Sequence, residues 1–308
     1  MPADKNKISI VVPVHNGGLG FADCLASLVR QTRPADELII VDNSSTDQTK
    51  EIIMSFAGRY PNIRYLFEGR LGRGQARNTG LYSARGDIIA MTDADCVVPE
   101  DWIERLTDPI ENCRETIVMG FETDGVNNYW SRHRQAAEFK FLHSKAKDGY
   151  IDFLDTKNFA IRSDVLKDLG FNPDLIACED LDLFLRLKQK KIAIRFLSEI
   201  MVQHQHVSSW RKLATTQFTY GRYSEDIIRN YRSDHTLDAY MPIVNDPHHG
   251  PGRRFLSWLM WSVSEVVNQP TAAPYTLTEN LAWRIGALYS KIKHFVSNIK
   301  RRSDARGR

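Results

Sequence analysis

Asp87-Ile88-Ile89-Ala90-Met91-Thr92-Asp93-Ala94-Asp95-Cys96 is the stretch on which the fold turns. An apolar run of strand length ends here in two carboxylates separated by one residue. Where a buried strand stops at a binding crevice, such carboxylates can hold a divalent cation, and hard oxygen ligands suit Mg2+ or Mn2+ rather than zinc. A cation so placed can neutralise a diphosphate. Taken alone, an Asp-Ala-Asp triplet equally suits a turn held by Asx caps, so its meaning depends on what surrounds it.

Working back toward the N-terminus, Ile8-Ser9-Ile10-Val11-Val12-Pro13-Val14 is a β-branched run stopped by His15-Asn16-Gly17-Gly18, a buried strand entering a loop. Phe21, Leu25, Leu28 and Val29 recur at helical spacing until Gln31-Thr32-Arg33-Pro34 ends them. A second strand, Glu37-Leu38-Ile39-Ile40-Val41, runs into Asp42-Asn43-Ser44-Ser45-Thr46-Asp47, a loop able to cap a helix reaching Phe56. Ile63 to Phe67 reads as a third strand, Gln75 to Ala84 as a helix, and Gly86 to Thr92 as the fourth strand. Strands alternating with helices at this spacing imply a mainly parallel sheet flanked by helices, with ligands at the carboxyl ends of its strands. His15-Asn16, Asp42 to Asp47 and Asp93-Asp95 should therefore converge.

The second half reads less regularly. Trp130 to Lys147 is amphipathic, a short strand is expected within Thr156 to Ile161, and a helix follows Glu179-Asp180. The break Asp246-Pro247-His248-His249-Gly250-Pro251-Gly252 marks the expected boundary between a catalytic domain, residues 1–245, and a C-terminal helical extension with a basic tail, residues 246–308. A chain of 308 residues with 42% hydrophobic and 26% charged residues suits an ordinary globular protein, and a net charge of +3 gives no case for nucleic acid. Cys24, Cys96, Cys113 and Cys178 are widely spaced, which suggests neither a disulfide framework nor a zinc knuckle. The polar stretch Met1 to Lys7 lacks a signal-peptide core, and no window nears the ~20 apolar residues of a spanning helix. A cytoplasmic location is expected.

Five ordered motifs carry a resemblance: Val12-Pro13-Val14-His15-Asn16, Val41 to Asp47, Gly74-Gln75-Ala76-Arg77-Asn78-Thr79-Gly80, Asp93-Ala94-Asp95, and Glu179-Asp180-Leu181-Asp182-Leu183. Over roughly residues 8–220 the chain resembles the family-2 inverting glycosyltransferases, which have a GT-A fold. The resemblance implies an α/β nucleotide-binding sheet, an acceptor-side subregion, a nucleoside-diphosphate sugar donor with UDP-sugar favoured, and a metal cofactor, Mn2+ or Mg2+. It implies transfer to a hydroxyl of a glycan, lipid-linked or other acceptor, as in cell-surface glycan or polysaccharide synthesis.

By the same resemblance Pro13, His15, Asn16 and Asp42 line the base and ribose, although family members more often carry an aromatic ring where His15 stands. Arg77 either contacts donor or ties its helix to the acidic loop. Asp95 is the first metal ligand, and Asp93 lies nearer the donor ribose or a metal-bound water. His204 or His206, on one face of a strand-like run, completes the metal site. Asp180 is the catalytic base, with Glu179 orienting acceptor or loop, and Asn158 is placed on the acceptor side. The acids precede a strongly apolar helix, whose N-terminus favours the ionised form a base requires.

Other readings fit less well. A sugar nucleotidyltransferase would carry basic residues in a Gly-rich loop after the first strand, and none occurs before Arg30. A dinucleotide-binding oxidoreductase needs G-x-G-x-x-G there, whereas Gly72-Arg73-Gly74-Gln75-Ala76-Arg77 lacks the third Gly and follows the wrong strand. A non-catalytic sugar- or nucleotide-binding scaffold would not need Asp95 and Asp180 together. In the C-terminal region, Phe255, Leu256, Trp258, Leu259, Trp261 and Val263 precede the basic Lys291 to Arg308, which suits either peripheral contact with an anionic membrane or a helix packed on the protein.

Overall fold

The computed structural model describes residues 6–205, 208–231, 263–264 and 267–306. By contact density the chain forms two compact units, residues 1–127 with 135–206, and residues 128–134 with 207–308. The break expected at Asp246 to Gly252 lies outside the described residues, as does His206.

Unit 1 is built on strands β1 (Ile8–Val14), β2 (Glu37–Asp42), β3 (Ile63–Phe67), β4 (Ile88–Met91), β5 (Cys96–Val97), β6 (Ile117–Asp124), β7 (Ala146–Lys147), β8 (Tyr150–Ile151), β9 (Phe159–Arg162) and β10 (Ile194–His204). They form one sheet in the order β3-β2-β1-β4-β9-β6-β10-β8-β7, with β5 also pairing β10. Helices α1 (Phe21–Val29), α2 (Thr49–Ala57), α3 (Arg73–Ser83), α4 (Trp102–Glu111), α5 (Tyr129–Lys145), α6 (Ser163–Leu169) and α7 (Glu179–Gln189) intervene. The apolar runs become strands because both sheet faces are covered: every residue of β2 and β4 is buried.

Register explains the convergence. β1 pairs in parallel with β2 and β4, Val14 opposite Asp42 and Val11 opposite Met91. The loops after β1, β2 and β4 therefore leave from one edge of the sheet. β9 is reversed, antiparallel to β4 and to β6, with Phe159 opposite Met91. Its entry segment, Asp155 to Asn158, thus reaches the same edge where its antiparallel neighbours β4 and β6 exit. β10 runs parallel to β6 and ends with His204 opposite Asp124.

Helix α3 lies close on the sheet because Gly80 has no side chain. A Cβ there would collide with Val11 Cγ1 and come within 3.0 Å of Val41 Cγ2.

Unit 2 contains helices α8 (Trp210–Asn230) and α9 (Ala273–Arg306). Gly221 approaches the Trp283 carbonyl and Gly286 the Phe218 carbonyl closely enough to exclude a Cβ at either position, so the pair packs backbone against backbone. No helix among the described residues is long and apolar enough to cross a membrane.

Candidate active site

A cleft at the carboxyl edge of the sheet is lined by Pro13, Val14, His15, Asn16, Gly17, Asn43, Leu71, Gly72, Arg73, Ala76, Arg77, Asp93, Ala94, Asp95 and Ile176. The loops after β1 and β2 lock together on its rim. His15 Nδ1 lies 2.7 Å from the Asn43 carbonyl, and the Asn16 side chain accepts the Thr46 N–H at 2.8 Å. A ring nitrogen facing a carbonyl is an N–H donor, which leaves His15 Nε2 to accept from the Asn16 amide at 3.2 Å. Asn43 holds the next loop: its amide donates to the Glu68 and Arg70 carbonyls and accepts the Gly72 N–H.

Asp42 is placed differently from Pro13, His15 and Asn16. It is buried beneath the rim, one oxygen accepting the Ser45 N–H at 2.9 Å and the other the Tyr65 hydroxyl at 3.1 Å. Asn43, not Asp42, faces the cleft.

At the end of β4 the two acids separate into two roles. Asp93 Oδ1 accepts a 2.8 Å bond from Arg77 Nη2, while Nη1 of the same buried guanidinium pairs with Glu179. Burial opposes ionisation of Asp93, but Arg77, Arg73 and Lys157 outweigh it and hold the carboxyl below its usual range. Arg77 thus lines the cleft and also ties α3 to the start of α7.

Asp95 faces His204, its Oδ2 lying 3.3 Å from Nε2. The other ring nitrogen, Nδ1, lies 3.2 Å from Glu122 Oε2 on β6. Burial disfavours a charged imidazole, yet the bonds to Asp95 and Glu122 outweigh it and push the His204 pKa up to about 10. A doubly protonated ring faces both carboxylates, Asp95 from Nε2 and Glu122 from Nδ1.

The pair also fits a metal ion. Two donors at right angles on an octahedral ion, each about 2.1 Å from it, lie about 3 Å apart. Asp95 and His204 meet that spacing. Cys96 Sγ is within the same 4.8 Å cluster, but burial and the flanking acids push its thiol well above the usual value. A soft sulfur is also a poor match for Mn2+ or Mg2+.

Asp180 lies in the first turn of α7, after Cys178 in a left-handed conformation at φ 63°. One of its oxygens accepts the Leu181 N–H at 2.8 Å. Burial, then the neighbouring carboxylates of Glu179 and Asp155, push its pKa up to about 7. The helix N-terminus was expected to keep this group ionised; desolvation and two like charges prevail. Asp180 is not among the residues lining the cleft, and its connection runs through Glu179 and Arg77.

Of the two residues read as acceptor-binding, Asn158 spends its side chain on the core and Glu179 pairs with Arg77. Asn158 is buried, donates to the Phe121 and Ile200 carbonyls at 2.8 and 2.9 Å, and accepts from Trp102 Nε1 at 2.8 Å. With both N–H donors spent, it anchors its segment to the core. Glu179 is buried, and one of its oxygens pairs with Arg77, which ties the start of α7 to α3. Sequence reasoning missed Glu122 and Lys157, whose ammonium lies 3.1 Å from Glu122 and 2.6 Å from Asp155. A lone acid within a strand gives no local signal of such a partner.

A mixed sheet with parallel strands β3-β2-β1-β4, a cleft at their carboxyl edge and a strand-terminal Asp-x-Asp are the features of a GT-A sugar transferase. The chain belongs to glycosyl transferase family 2, whose model matches residues 9–170. It is 29% identical over 219 residues to glycosyltransferase AglE of Haloferax volcanii, covering 70% of this chain and 72% of AglE. Its fold matches that of a mannosyltransferase from Pyrobaculum calidifontis described in complex with GDP-Man and Mn2+, with TM-score 0.69, 16% identity, and 94% and 89% of the two chains covered. It also matches glucosyl-3-phosphoglycerate synthase from Mycobacterium tuberculosis described with Mn2+, UDP and phosphoglyceric acid, with TM-score 0.54, 20% identity, and 73% and 78% covered.

Proposed function

We propose that this glycosyltransferase moves a sugar from a nucleoside-diphosphate donor to a hydroxyl acceptor with inversion at the anomeric carbon, with Asp95 and His204 holding a divalent cation. The observation carrying this reading is the Asp95–His204 pair at 3.3 Å beside the cleft. The base and ribose lie along Pro13, His15 and Asn16. The diphosphate lies toward Gly72 and Arg73, where the N-terminus of α3 and a guanidinium favour anionic oxygens. When bound, the cation offsets negative charge on the departing diphosphate; one imidazole in the donor set favours Mn2+ over Mg2+.

Asp180 accepts the acceptor hydroxyl's proton as that oxygen attacks the anomeric carbon. The bond to the diphosphate breaks with its electron pair on the leaving oxygen. One displacement from the opposite face gives inversion, and a pKa near 7 suits a base that works near neutrality. UDP is the favoured nucleotide, on the ordered motif series of the family resemblance. Calorimetric titration with UDP, GDP and dTDP tests the donor side: Mn2+-dependent binding led by UDP agrees, and binding of none of them, with or without Mn2+, contradicts.

Helix α9 supports a peripheral site of action. Leu281, Ile285, Leu288, Ile292 and Phe295 are each more than half exposed and recur at helical spacing on one stripe. The face packed on α8 holds Gly286, against Phe218, and Ser290, beside Asp226. Basic Lys291 and Lys293 accompany the stripe, and Lys300, Arg301, Arg302 and Arg306 follow in sequence. Apolar side chains among cations match an anionic bilayer surface, which supports reading the acceptor as a lipid-linked glycan. Ile285→Glu with Ile292→Glu should abolish co-sedimentation with phosphatidylglycerol vesicles; retention by the double variant would contradict membrane contact.

A further inference from the structure

His204 is gripped from both sides, and only one side is explained by the reaction. Its Nε2 faces Asp95 and the cleft, whereas Nδ1 faces Glu122, on a neighbouring strand and nearly inaccessible to solvent. Glu122 is itself held: Lys157 Nζ lies 3.1 Å from it and 2.6 Å from Asp155. The segment carrying Asp155 and Lys157 is pinned by Asn158, whose amide spans the Phe121 and Ile200 carbonyls. Gly120, beside Glu122 on β6, makes this possible, because a Cβ there would overlap the Asn158 amide.

Resting on the metal reading above, we propose that Glu122 is the positioning residue of the metal site. It accepts the Nδ1–H of His204, keeps the proton on that nitrogen and aims the Nε2 lone pair at the ion shared with Asp95. A ring free to rotate would present either nitrogen and lose order on binding. An outer carboxylate on the remote nitrogen fixes tautomer and orientation and makes the imidazole a better donor; removing such a partner typically weakens metal affinity about 10–100-fold. Lys157, with its ammonium 3.1 Å from Glu122 and 2.6 Å from Asp155, offsets the charge of the buried carboxylate and holds it in place. Asn158 and Lys157, both in the segment assigned to acceptor binding from sequence, thus serve the metal histidine at one remove.

Mn2+ affinity of the full-length protein, read from the electron paramagnetic resonance signal of free Mn2+, tests this without requiring turnover. Thermal melting checks folding in each variant. Wild type is compared with His204→Ala, Glu122→Ala, Glu122→Gln and Glu138→Gln, the last removing a charge from the same buried acidic group.

We expect His204→Ala to lose binding, Glu122→Ala to bind about 10–100-fold more weakly, and Glu122→Gln, which keeps an acceptor for Nδ1–H, to fall between it and wild type. Glu138→Gln should stay within about threefold of wild type, since outer partners matter only where they touch a ligand. Wild-type affinity in Glu122→Ala, with binding lost in His204→Ala, would overturn the positioning role and leave the metal reading standing. Equal losses in Glu122→Gln and Glu138→Gln would also overturn it, showing a bulk charge effect. Unchanged binding in His204→Ala would remove the metal reading and this inference together. Should alanine at Glu122 fail to fold, the two glutamine variants decide.

Discussion

Arg77 on α3 and Glu179 at the start of α7 form a buried ion pair, 102 residues apart in sequence. The same guanidinium holds Asp93. One side chain therefore fixes the segment carrying the proposed base relative to the acids that end β4.

Arg77→Met should unfold more readily by about 3–5 kcal/mol, because it strands two carboxylates that burial already penalises. Urea denaturation with an unchanged m-value measures this. A loss below about 1 kcal/mol would mean the pair is not closed as described.

Asp180→Asn should lower kcat about 10²–10⁴-fold while leaving donor affinity near wild type, since the amide keeps the shape and cannot take a proton. Initial rates against donor and acceptor separate the two effects.

Asp180, with its pKa raised to about 7, is protonated below that pH and unable to act as a base. kcat/KM for the acceptor should therefore rise about tenfold per pH unit on the acid side and level off above about 7. An acid limb breaking near 4 would remove the effect of burial and of Glu179 and Asp155 on this group.

Gly80→Ala should destabilise the fold by about 1–3 kcal/mol, despite alanine's better helix propensity, because its methyl group has no room against Val11 and Val41. Unfolding midpoints compared with an exposed substitution on the same helix, such as Tyr82→Ala, isolate the steric effect.

Much of unit 1 was legible because buried parallel strands make nearly continuous apolar runs, and polar loops end them. β1, β2, β3 and β4 with their helices follow that pattern within a few residues, and α3 starts at Arg73 where Gln75 was expected. β6 was not among the strands expected from sequence, and its Gly120 makes room for Asn158. His204 was visible as a ligand candidate at a strand end. Glu122 was not, because its role is set by β6 pairing with β10, a contact that no local pattern encodes. Asn158 has acceptor-binding chemistry, and only the packing shows where its hydrogen bonds go. Asp180 was legible in position but not in electrostatics, since its neighbour Asp155 comes from the entry to β9.

The most direct measurement is nucleoside diphosphate release from UDP-, GDP- and dTDP-sugars, with Mn2+ or with chelator, by wild type, Asp95→Ala and Asp180→Asn. The account predicts Mn2+-dependent release from one donor class, UDP-sugars first, lost on chelation and in both variants. Release that is indifferent to chelator and to Asp95→Ala would contradict it.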